Sequence, residues 1–285
     1  MPELPEVETI ARGLAARVKG DVIESVWLGS KPEPLKSPAS QIVATLESSR
    51  IANVRRVGKH IVFDLDRVAR APLRPRDVKS RRNRPTEPHS QWIVHLGMTG
   101  KLLVCDPDAE TPKHTHAILT LASGRELRFV DPRRFGRLSV ATDFEAAGAE
   151  PLEVQLEKFV SFFHSRKTPI KSALLNQTLL SGVGNIYADE SLFRARVRPR
   201  RRAASLTKQE LRRLFISLGE VLKEAIVAGG SSISDYVDAE GEAGFFQFQH
   251  RVYGREGEPC LVCATPIKRI VIAGRSSHYC LKCQK

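Results

Sequence analysis

The sequence predicts an α+β protein of more than one domain, with a β-rich first half, a helical second half and a small ribbon at the end. Three observations lead to this fold class. Short strand-like runs separated by Gly, Pro and Asp fill the first half, apolar residues at helical spacing follow residue 144, and two Cys-x2-Cys pairs lie near the end. A chain of 285 residues is long enough for two domains that each bury a core.

The first predicted element is an amphipathic helix over residues 6–19. One helix face is marked by the apolar spacing of Val7, Ile10, Ala11, Leu14 and Val18. A second helix is predicted from Ser37-Pro38, an N-cap followed by proline at the first helical position, to about Leu46. Strand-like runs occur at 22–28, 51–57, 61–66, 92–95, 102–105, 117–121, 127–130 and 138–141. Many short strands of this kind are typical of a β-sandwich or barrel.

Residues 67–90 interrupt the strand pattern. The segment is rich in arginine and proline and poor in apolar residues. Such a composition predicts a loop or disordered insertion without a fixed structure. Its positive charge would either attract phosphate without sequence preference or be an inert solvated feature, and the sequence leaves both open.

The second half is predicted to be helical at 153–165, 169–180, 186–195 and 207–227. Thr207 and Glu210 form a capping box at the start of the last of these helices. Gly182 and Gly184 lie directly before the third helix. A glycine turn at a helix start exposes backbone N–H groups that bind phosphate, although most such turns are only turns.

Four cysteines near the end predict a zinc site. Cys260 and Cys263 form one Cys-x2-Cys pair, and Cys280 and Cys283 form a second after 16 intervening residues. This spacing is typical of two knuckles joined by a β-hairpin, with Gly274 near its turn. Two disulfides or four free thiols are the alternatives, but disulfides need an oxidising compartment, and we find no signal-peptide pattern. Four thiolates leave no open coordination position, so we expect one structural zinc ion.

The charge balance predicts a polyanionic partner. The chain has a formal net charge of +13 and a pI near 9.8. A chain this basic most often binds nucleic acid; the alternatives are that the charge serves only solubility or that the partner is an acidic protein. No run of residues approaches the ~18 apolar positions that span a membrane, so no membrane partner is expected.

The first residues predict a nucleophile. A small second residue such as Pro2 normally allows Met1 to be removed, which leaves proline with a free secondary amine. An α-amino group has a pKa of about 8, against about 10.4 for lysine, so a larger fraction of it is neutral and nucleophilic at neutral pH. Its attack on an aldehyde-level carbon gives an iminium, an electron sink for breaking neighbouring bonds. Glu3 and Glu6 follow and could transfer protons; the alternative is an ordinary solvated terminus.

Five motifs occur in an order that is specific. They are 2–9 (PELPEVET), 95–100 (HLGMTG), 131–136 (DPRRFG), 182–190 (GVGNIYADE) and the four-cysteine ribbon. Together they closely resemble the bacterial formamidopyrimidine-DNA glycosylase family, whose members are also called 8-oxoguanine DNA glycosylase/AP lyases. The resemblance covers nearly the whole chain except residues 67–90.

The resemblance implies a β-sandwich flanked by helices, then a helical domain with a helix-two-turn-helix element and a zinc ribbon, with duplex DNA in the cleft between. We therefore expect domains at 1–143, 144–244 and 245–285 and a monomer in the bacterial cytoplasm. The resemblance also implies excision of oxidised purines followed by β,δ-elimination at the abasic site. The segment 229–248 resembles the loop that covers the lesion in the purine enzyme.

The resemblance also assigns roles to individual residues. Pro2 corresponds to the nucleophile, Glu3 to the acid–base residue, and Glu6 to a carboxylate that positions the N-terminal segment. Lys59 corresponds to a catalytically important lysine that contacts phosphate, and Asn185 and Arg275 to residues that grip the kinked backbone. The side chains that fill the gap left by an extruded base correspond to Met98, Arg133 and Phe135, and the second motif adds His95 as a further DNA-binding residue. Asn176, where many relatives carry Asp, and Leu281, where Pro is common, depart from the family pattern outside these roles.

Two other functions remain open at this stage. The sister enzyme endonuclease VIII, which acts on oxidised pyrimidines, shares Pro2, Glu3 and the ribbon. The residues 4–9 and the complete set Met98, Arg133 and Phe135 favour the purine enzyme. A zinc-ribbon protein that binds DNA without catalysis is the second alternative, and we would expect it to have lost Pro2, Glu3 or Lys59.

Overall fold

The structure is a computed structural model that describes residues 1–68, 90–232, 236–239 and 241–285. Its helices and strands follow the predicted order. In the first half they are α1 (Leu4–Val18), β1 (Ile23–Leu28), α2 (Ala39–Leu46), β2 (Ser49–Val57), β3 (His60–Arg67), β4 (Ser90–His95), β5 (Lys101–Cys105), β6 (Thr115–Leu121), β7 (Glu126–Val130) and β8 (Arg137–Ala141). In the second half they are α3 (Leu156–Ser161), α4 (Ile170–Leu174), α5 (Asn185–Arg194), α6 (Lys208–Val227), β9 (Lys268–Ile272) and β10 (Arg275–Tyr279).

Two four-stranded antiparallel sheets form the first half, which confirms a sandwich. One sheet has the order β1-β6-β7-β5 and the other β2-β3-β4-β8. Apolar residues of both sheets and of the buried faces of α1 and α2 form one core that includes Ile10, Leu14, Phe63, Trp92 and Phe129. The predicted stripe of the first helix is therefore the face that α1 buries.

The predicted insertion lies between two paired strands. Leu65 of β3 pairs with Ser90 of β4, so the two ends of the insertion lie side by side. Arg67 and Ser90, the first and last residues of the predicted insertion, belong to the strands. The prediction for residues 69–89 lies outside the described residues.

A second core holds the helical half together. It is built from α3 to α6 and the loops between them, with Phe159, Tyr187 and Leu214 among its buried members. Leu4, from the first turn of α1, belongs to this second core rather than to the sandwich, and its N–H donates to the carbonyl of Gly182 at 3.0 Å. The N-terminus therefore lies where the two halves meet.

The helix predicted over 169–180 is wrong in extent, because α4 ends at Leu174. Asn176 interrupts it: its Oδ1 accepts hydrogen bonds from the backbone N–H and the hydroxyl of Thr178, at 2.9 and 2.8 Å. Asparagine side chains compete in this way with helical hydrogen bonds. The helix predicted over 153–165 is likewise shorter, since α3 spans Leu156–Ser161.

The ribbon is a separate small unit after α6. The antiparallel pair β9–β10 carries the knuckle cysteines at its open end, and Gly274, with φ +75°, lies in its turn. A small cluster of Phe193, Val252, Cys260, Ile267 and Cys280 packs the ribbon against the end of α5. In the described part of the chain, no helix is both long and apolar enough to cross a membrane.

Candidate active site

The first turn of α1 holds two buried carboxylates. Glu3 is the N-cap of the helix, and its backbone N–H donates to Oε2 of Glu6 at 2.8 Å in a capping box. The other oxygen of Glu6, Oε1, accepts a hydrogen bond from the Tyr187 hydroxyl and one from the backbone N–H of Ser231, at 2.8 Å. Burial raises the pKa of Glu6. Glu6 therefore joins α1, α5 and the segment after α6 at one point.

The carboxyl group of Glu3 lies at the N-terminus of α5. Its Oε1 accepts a long hydrogen bond, 3.4 Å, from the backbone N–H of Ile186, while its Oε2 is buried without a partner in the described structure. Gly184 makes room for it, because a Cβ at that position would lie 2.0 Å from Glu3 Cδ. At the predicted glycine turn, the N-terminus of α5 therefore lies against a carboxylate of the protein itself, that of Glu3.

Burial also sets the protonation of Glu3. Desolvation raises the pKa of Glu3 to about 7, against the attraction of Lys59, which lowers it, and with the repulsion of Glu6, which raises it. A carboxyl group with this pKa can both give and accept a proton near neutral pH.

Lys59 lies at the tip of the hairpin that joins β2 to β3. Val57 pairs with His60, so Gly58 and Lys59 form a two-residue turn, with Gly58 at φ +60° as the first position of a type II′ turn requires. Lys59 is buried, and the loss of hydration lowers its pKa while the charge of Glu3 opposes that effect.

A pocket of about 510 Å³ brings these groups together. Its wall includes all four residues predicted to be catalytic, Pro2, Glu3, Glu6 and Lys59, and three predicted to bind DNA, Met98, Asn185 and Arg275. Met1 is present in the structure and also lines the pocket. Its carbonyl carbon is bonded to the Pro2 nitrogen, which is therefore an amide and not a free amine. Removal of Met1 would free that nitrogen inside the pocket.

Asn185 and Arg275 both line the pocket, one from α5 and the other from the ribbon. Nδ2 of Asn185, the first residue of α5, donates to Oγ of Ser276 at 3.3 Å, and its Oδ1 is buried without a partner among the described residues. Arg275 begins β10 beside the hairpin turn, and its side chain is exposed. Its charge lowers the pKa of Lys59, so the pocket is positive on this side.

Three of the DNA-binding candidates, Met98, Arg133 and Phe135, lie at an exposed edge beside the pocket. Met98 and Phe135 are 41% and 52% exposed, and the Arg133 guanidinium lies 4.9 Å from the centre of the Phe135 ring. The loop after β4 and the loop before β8 are in contact at Gly97 and Gly136. A Cβ on Gly97 would lie 2.5 Å from the Gly136 nitrogen. This contact places the three side chains on one edge, which we call the loop tip (Met98, Arg133 and Phe135).

A buried aspartate shapes the loop tip from below. Asp131 accepts hydrogen bonds from the Thr99 hydroxyl at 2.6 Å and from the Arg133 and Gly136 backbone N–H groups at 3.2 and 2.7 Å. His95 lies further in: its Nδ1 accepts from the Gly97 N–H at 3.1 Å, and burial lowers its pKa to about 4. His95 therefore supports the loop as a neutral ring, and its side chain does not line the pocket.

The four predicted zinc ligands meet at the open end of the ribbon. The sulfur atoms of Cys260, Cys263, Cys280 and Cys283 all lie within 4.8 Å of one another. Two of the S–S separations are 3.9 and 3.4 Å, close to the ~3.8 Å expected for tetrahedral zinc with ~2.3 Å bonds. Cys105 is distant in sequence and half-buried.

A buried ion pair that no sequence pattern predicts holds the ribbon to α5. Lys171 and Asp189 are fully buried with 2.7 Å between Nζ and Oδ1. Lys171 also donates to the Ser276 carbonyl at 2.6 Å, and Asp189 accepts from the His278 backbone N–H at 2.8 Å. Asp189 lies within the fourth motif, but only the packed ribbon shows what it binds.

Glu190, the next residue, anchors the segment that leads into the ribbon. Its carboxylate accepts three backbone hydrogen bonds of 2.8 to 2.9 Å, from Arg251, Val252 and Tyr253. Tyr253 lines the pocket next to Asn185. Glu190 and the ion pair together fix the position of Arg275 relative to Glu3. Of the predicted lesion-covering segment, 229–248, residues 233–235 and 240 lie outside the described residues.

Comparison with known proteins identifies the family. The model of the formamidopyrimidine-DNA glycosylase N-terminal domain matches residues 1–138, that of the H2TH domain of the same enzymes matches 147–237, and that of a zinc finger found in FPG and IleRS matches 257–285. The chain belongs to the formamidopyrimidine-DNA glycosylase family. The zinc-finger match and the cysteine cluster together show that this member carries one structural zinc site.

Individual relatives of the family cover the whole chain. A formamidopyrimidine-DNA glycosylase of Solibacter usitatus is 44% identical over 295 residues, with 100% of both chains covered. The crystal structure of the MutM (Fpg) protein from Thermus thermophilus matches with a TM-score of 0.82 and 41% identity, covering 99% of this chain and 98% of that one. A Lactococcus lactis Fpg variant in complex with Fapy-dG-containing DNA matches with a TM-score of 0.84 and 30% identity over 100% of both chains.

Proposed function

We propose that this chain excises oxidised purines, 8-oxoguanine and formamidopyrimidines, from duplex DNA and then cleaves the abasic strand by β,δ-elimination. The observation that carries the proposal is the meeting of Pro2, Glu3 and Lys59 in one pocket. An amine nucleophile beside a proton-transfer group of pKa about 7 is the minimum set for Schiff-base chemistry at a sugar.

In the proposed reaction the Pro2 nitrogen, freed of Met1, attacks C1′ of the damaged nucleotide. The glycosidic bond breaks, its electron pair leaves with the base, and the base takes up a proton. The sugar ring then opens: the C1′–O4′ bond breaks, O4′ takes up a proton and the Pro2 nitrogen gives up its own, which leaves an iminium at C1′. The iminium acidifies the 2′ hydrogen, so that loss of that proton expels the 3′ phosphate, and loss of the 4′ proton from the conjugated product expels the 5′ phosphate. Glu3 transfers protons at the sugar, Lys59 contacts phosphate beside it, and Glu6 holds the N-terminal segment through Tyr187 and Ser231.

The DNA-binding roles follow the two sides of the pocket. Attack at C1′ requires that the target nucleotide leave the base stack. We propose that Asn185 and Arg275 hold the phosphates of that nucleotide and that His95 supports the loop on the sandwich side. The loop tip would fill the gap, with Met98 and Phe135 as apolar wedges and the forked donors of Arg133 facing the orphaned base.

The purine specificity rests on the relatives. The family takes its name from formamidopyrimidine, and the L. lactis variant was crystallised with Fapy-dG-containing DNA. We further propose a monomer that acts in the bacterial cytoplasm, as its relatives from bacteria suggest, with domains at 1–143, 144–244 and 245–285. Separate apolar cores in the sandwich, the helical half and the ribbon support this division.

Trapping with borohydride tests the nucleophile. Reduction in the presence of 8-oxoguanine or abasic DNA should join DNA to the mature N-terminus, as located by peptide mapping. A matched protein with an extra N-terminal segment before Pro2 should bind the same DNA without forming the adduct. An adduct on Lys59 or another lysine would contradict the assignment.

Substrate choice separates the proposal from its alternatives. A duplex with 8-oxoguanine should be cut faster than the same duplex with an oxidised pyrimidine. The reverse preference would indicate the sister pyrimidine activity, and binding without cleavage of either duplex would indicate a non-catalytic DNA-binding protein.

A further inference from the structure

A second concave surface lies at the other end of α5. This groove, of about 930 Å³, is lined by the end of α5, the first turns of α6, Arg251 and the zinc knuckles. Its apolar part comprises Phe193 and Val262, and Val262 is 66% exposed. We call this surface the knuckle groove.

Positive charge surrounds the knuckle groove. The lining cations that make no close ion pair with a carboxylate among the described residues are Arg196, Arg213, Arg251, Lys282 and Lys285, although the charge of Arg251 contributes to the lowered pKa of Glu224. Two further charged side chains of the lining are already paired: Arg194 is bound to Glu224 at 2.6 Å, and Glu210 is bound to Arg201 and the N-cap of α6. Cys263 and Cys283 also line the groove, and with zinc bound the four-thiolate centre to which they belong carries a net negative charge. The five cations outnumber these negative groups around one concavity, so the groove has a positive potential that attracts an acidic ligand.

The knuckle groove is remote from the pocket. Asn185, which lines the pocket, and Arg194, which lines the groove, are the first and last residues of α5, about 13 Å apart at ~1.5 Å per residue. The ribbon runs the same way, since β10 leads from Arg275 at the pocket to the knuckle that contains Lys282 at the groove. The groove is therefore at the end of both elements that points away from the reaction.

We propose that the knuckle groove docks an acidic peptide segment of a partner protein, with one apolar side chain of that segment on Phe193 and Val262. Charge complementarity identifies the acidic character of the ligand. The exposed part of the floor favours a peptide over a nucleic acid, because Val262 suits an aliphatic side chain and offers no aromatic face on which a base could stack. The groove volume is in the range that encloses a ligand or a short peptide stretch.

Binding of a synthetic peptide tests this proposal. The probe is a fluorescein-labelled peptide of aspartates and glutamates around one central leucine, titrated with the full zinc-loaded chain at physiological salt and followed by anisotropy. Saturable binding is expected. The same peptide with serine in place of leucine should bind more weakly, and one with asparagine and glutamine in place of the acids should not bind.

Charge reversal locates the binding site. The double variant Arg196→Glu/Arg213→Glu should bind the peptide about tenfold more weakly or worse. The matched double variant Arg212→Glu/Lys223→Glu reverses two exposed cations of α6 outside the groove and should keep most of the affinity. Both double variants should cut an 8-oxoguanine duplex at about the wild-type rate, because neither changes a residue of the pocket.

A second variant guards against misfolding. If the groove double variant melts early or loses zinc, Val262→Glu alone carries the test, because this exposed side chain can be changed without opening a core. It should lower peptide affinity and leave zinc content unchanged. The proposal is overturned if wild type shows no saturable binding, if both double variants weaken it equally, or if undamaged duplex DNA displaces the peptide one for one.

Discussion

The two buried carboxylates and the loop tip both belong to the proposed site for an extruded nucleotide, but they are built in opposite ways. Glu3 and Glu6 are buried at the junction of α1 and α5, and Glu6 accepts hydrogen bonds from three parts of the chain. At the loop tip, Met98 and Phe135 are 41% and 52% exposed, and the hydrogen bonds that Asp131 accepts there come from the backbone beneath these side chains.

The difference follows from when each group finds its partner. A proton-transfer group must have its geometry and pKa set before substrate arrives, so its environment belongs to the protein. A wedge has no partner until DNA opens, so its apolar surface stays in water until then. Substitutions should therefore affect chemistry and stability together at the carboxylates, and function alone at the loop tip.

The largest effect is expected from Glu3→Gln. The amide is nearly isosteric but cannot exchange a proton near neutral pH, so excision of 8-oxoguanine should fall by roughly 10²–10⁴-fold. Single-turnover cleavage measures the rate, and duplex binding should persist. The matched change Glu24→Gln, at an exposed position of β1, should leave the rate unaltered. Wild-type excision by Glu3→Gln would refute the role of this carboxyl group.

The pH dependence of stability tests the burial of Glu3. Its pKa is raised from 4.5 to about 7 in the folded chain, so the unfolded chain loses the proton first as pH rises. The free energy of unfolding of wild type, relative to Glu3→Gln, should fall between pH 4.5 and about 7 and stay constant above that.

The expected total change is about 3 kcal/mol, since one pKa unit corresponds to about 1.4 kcal/mol. Urea unfolding of both proteins across this range, each retaining Met1 as in the structure, gives the measurement. Parallel stability curves would show that the carboxyl group is not desolvated.

Loss of zinc should weaken DNA binding by the side of the pocket that the ribbon forms. Cys260→Ala removes one of four thiolates, and a small ribbon owes much of its folding energy to its metal. Because Arg275 is carried on the ribbon hairpin, DNA affinity should fall by about tenfold or more along with zinc content. Cys105→Ala, a cysteine outside the cluster, is the control and should keep both. Full DNA affinity after chelation of the zinc would show that the folded ribbon is not required for DNA binding.

A single added methyl group should disturb the carboxylate site. In Gly184→Ala the new Cβ would lie 2.0 Å from Glu3 Cδ, so we expect a loss of about 1–3 kcal/mol in stability and slower excision. Gly219→Ala in α6 is the matched control, because nothing lies within 4 Å of a Cβ there and alanine favours a helix. Thermal melting and cleavage assays compare the two, and equal behaviour would mean that the Glu3 site is not tightly packed.

The smallest effect on stability is expected at the loop tip. Met98→Ala and Phe135→Ala should change the free energy of unfolding by no more than about 0.5 kcal/mol, since both side chains are exposed. Cleavage of an 8-oxoguanine duplex should still slow by about tenfold, because the apolar volume offsets an unstacking cost of a few kcal/mol. On abasic DNA, where no base is held out, the defect should shrink. Equal losses on both substrates would contradict a wedge role.

Sequence patterns of short range determined much of the molecule. Periodicity located α1 and each strand of the sandwich to within a few residues, because a helix face or a strand face repeats locally. The spacing of Cys260, Cys263, Cys280 and Cys283 identified the zinc ligands, since tetrahedral coordination limits how far apart the knuckles can be. The motif beginning at Pro2 likewise pointed to the pocket in which the structure places it.

Only the tertiary structure decided the environment of those residues. Tyr187 and Ser231 bind Glu6 from 181 and 225 positions away in the chain, and no local pattern specifies such a contact. The early end of α4 at Leu174 depends on the turn that Asn176 forms, and the Lys171–Asp189 pair exists only where the ribbon packs on α5. The raised pKa of Glu3 has the same origin: desolvation depends on how much protein surrounds the group, which is a property of the packed chain and not of the residue type.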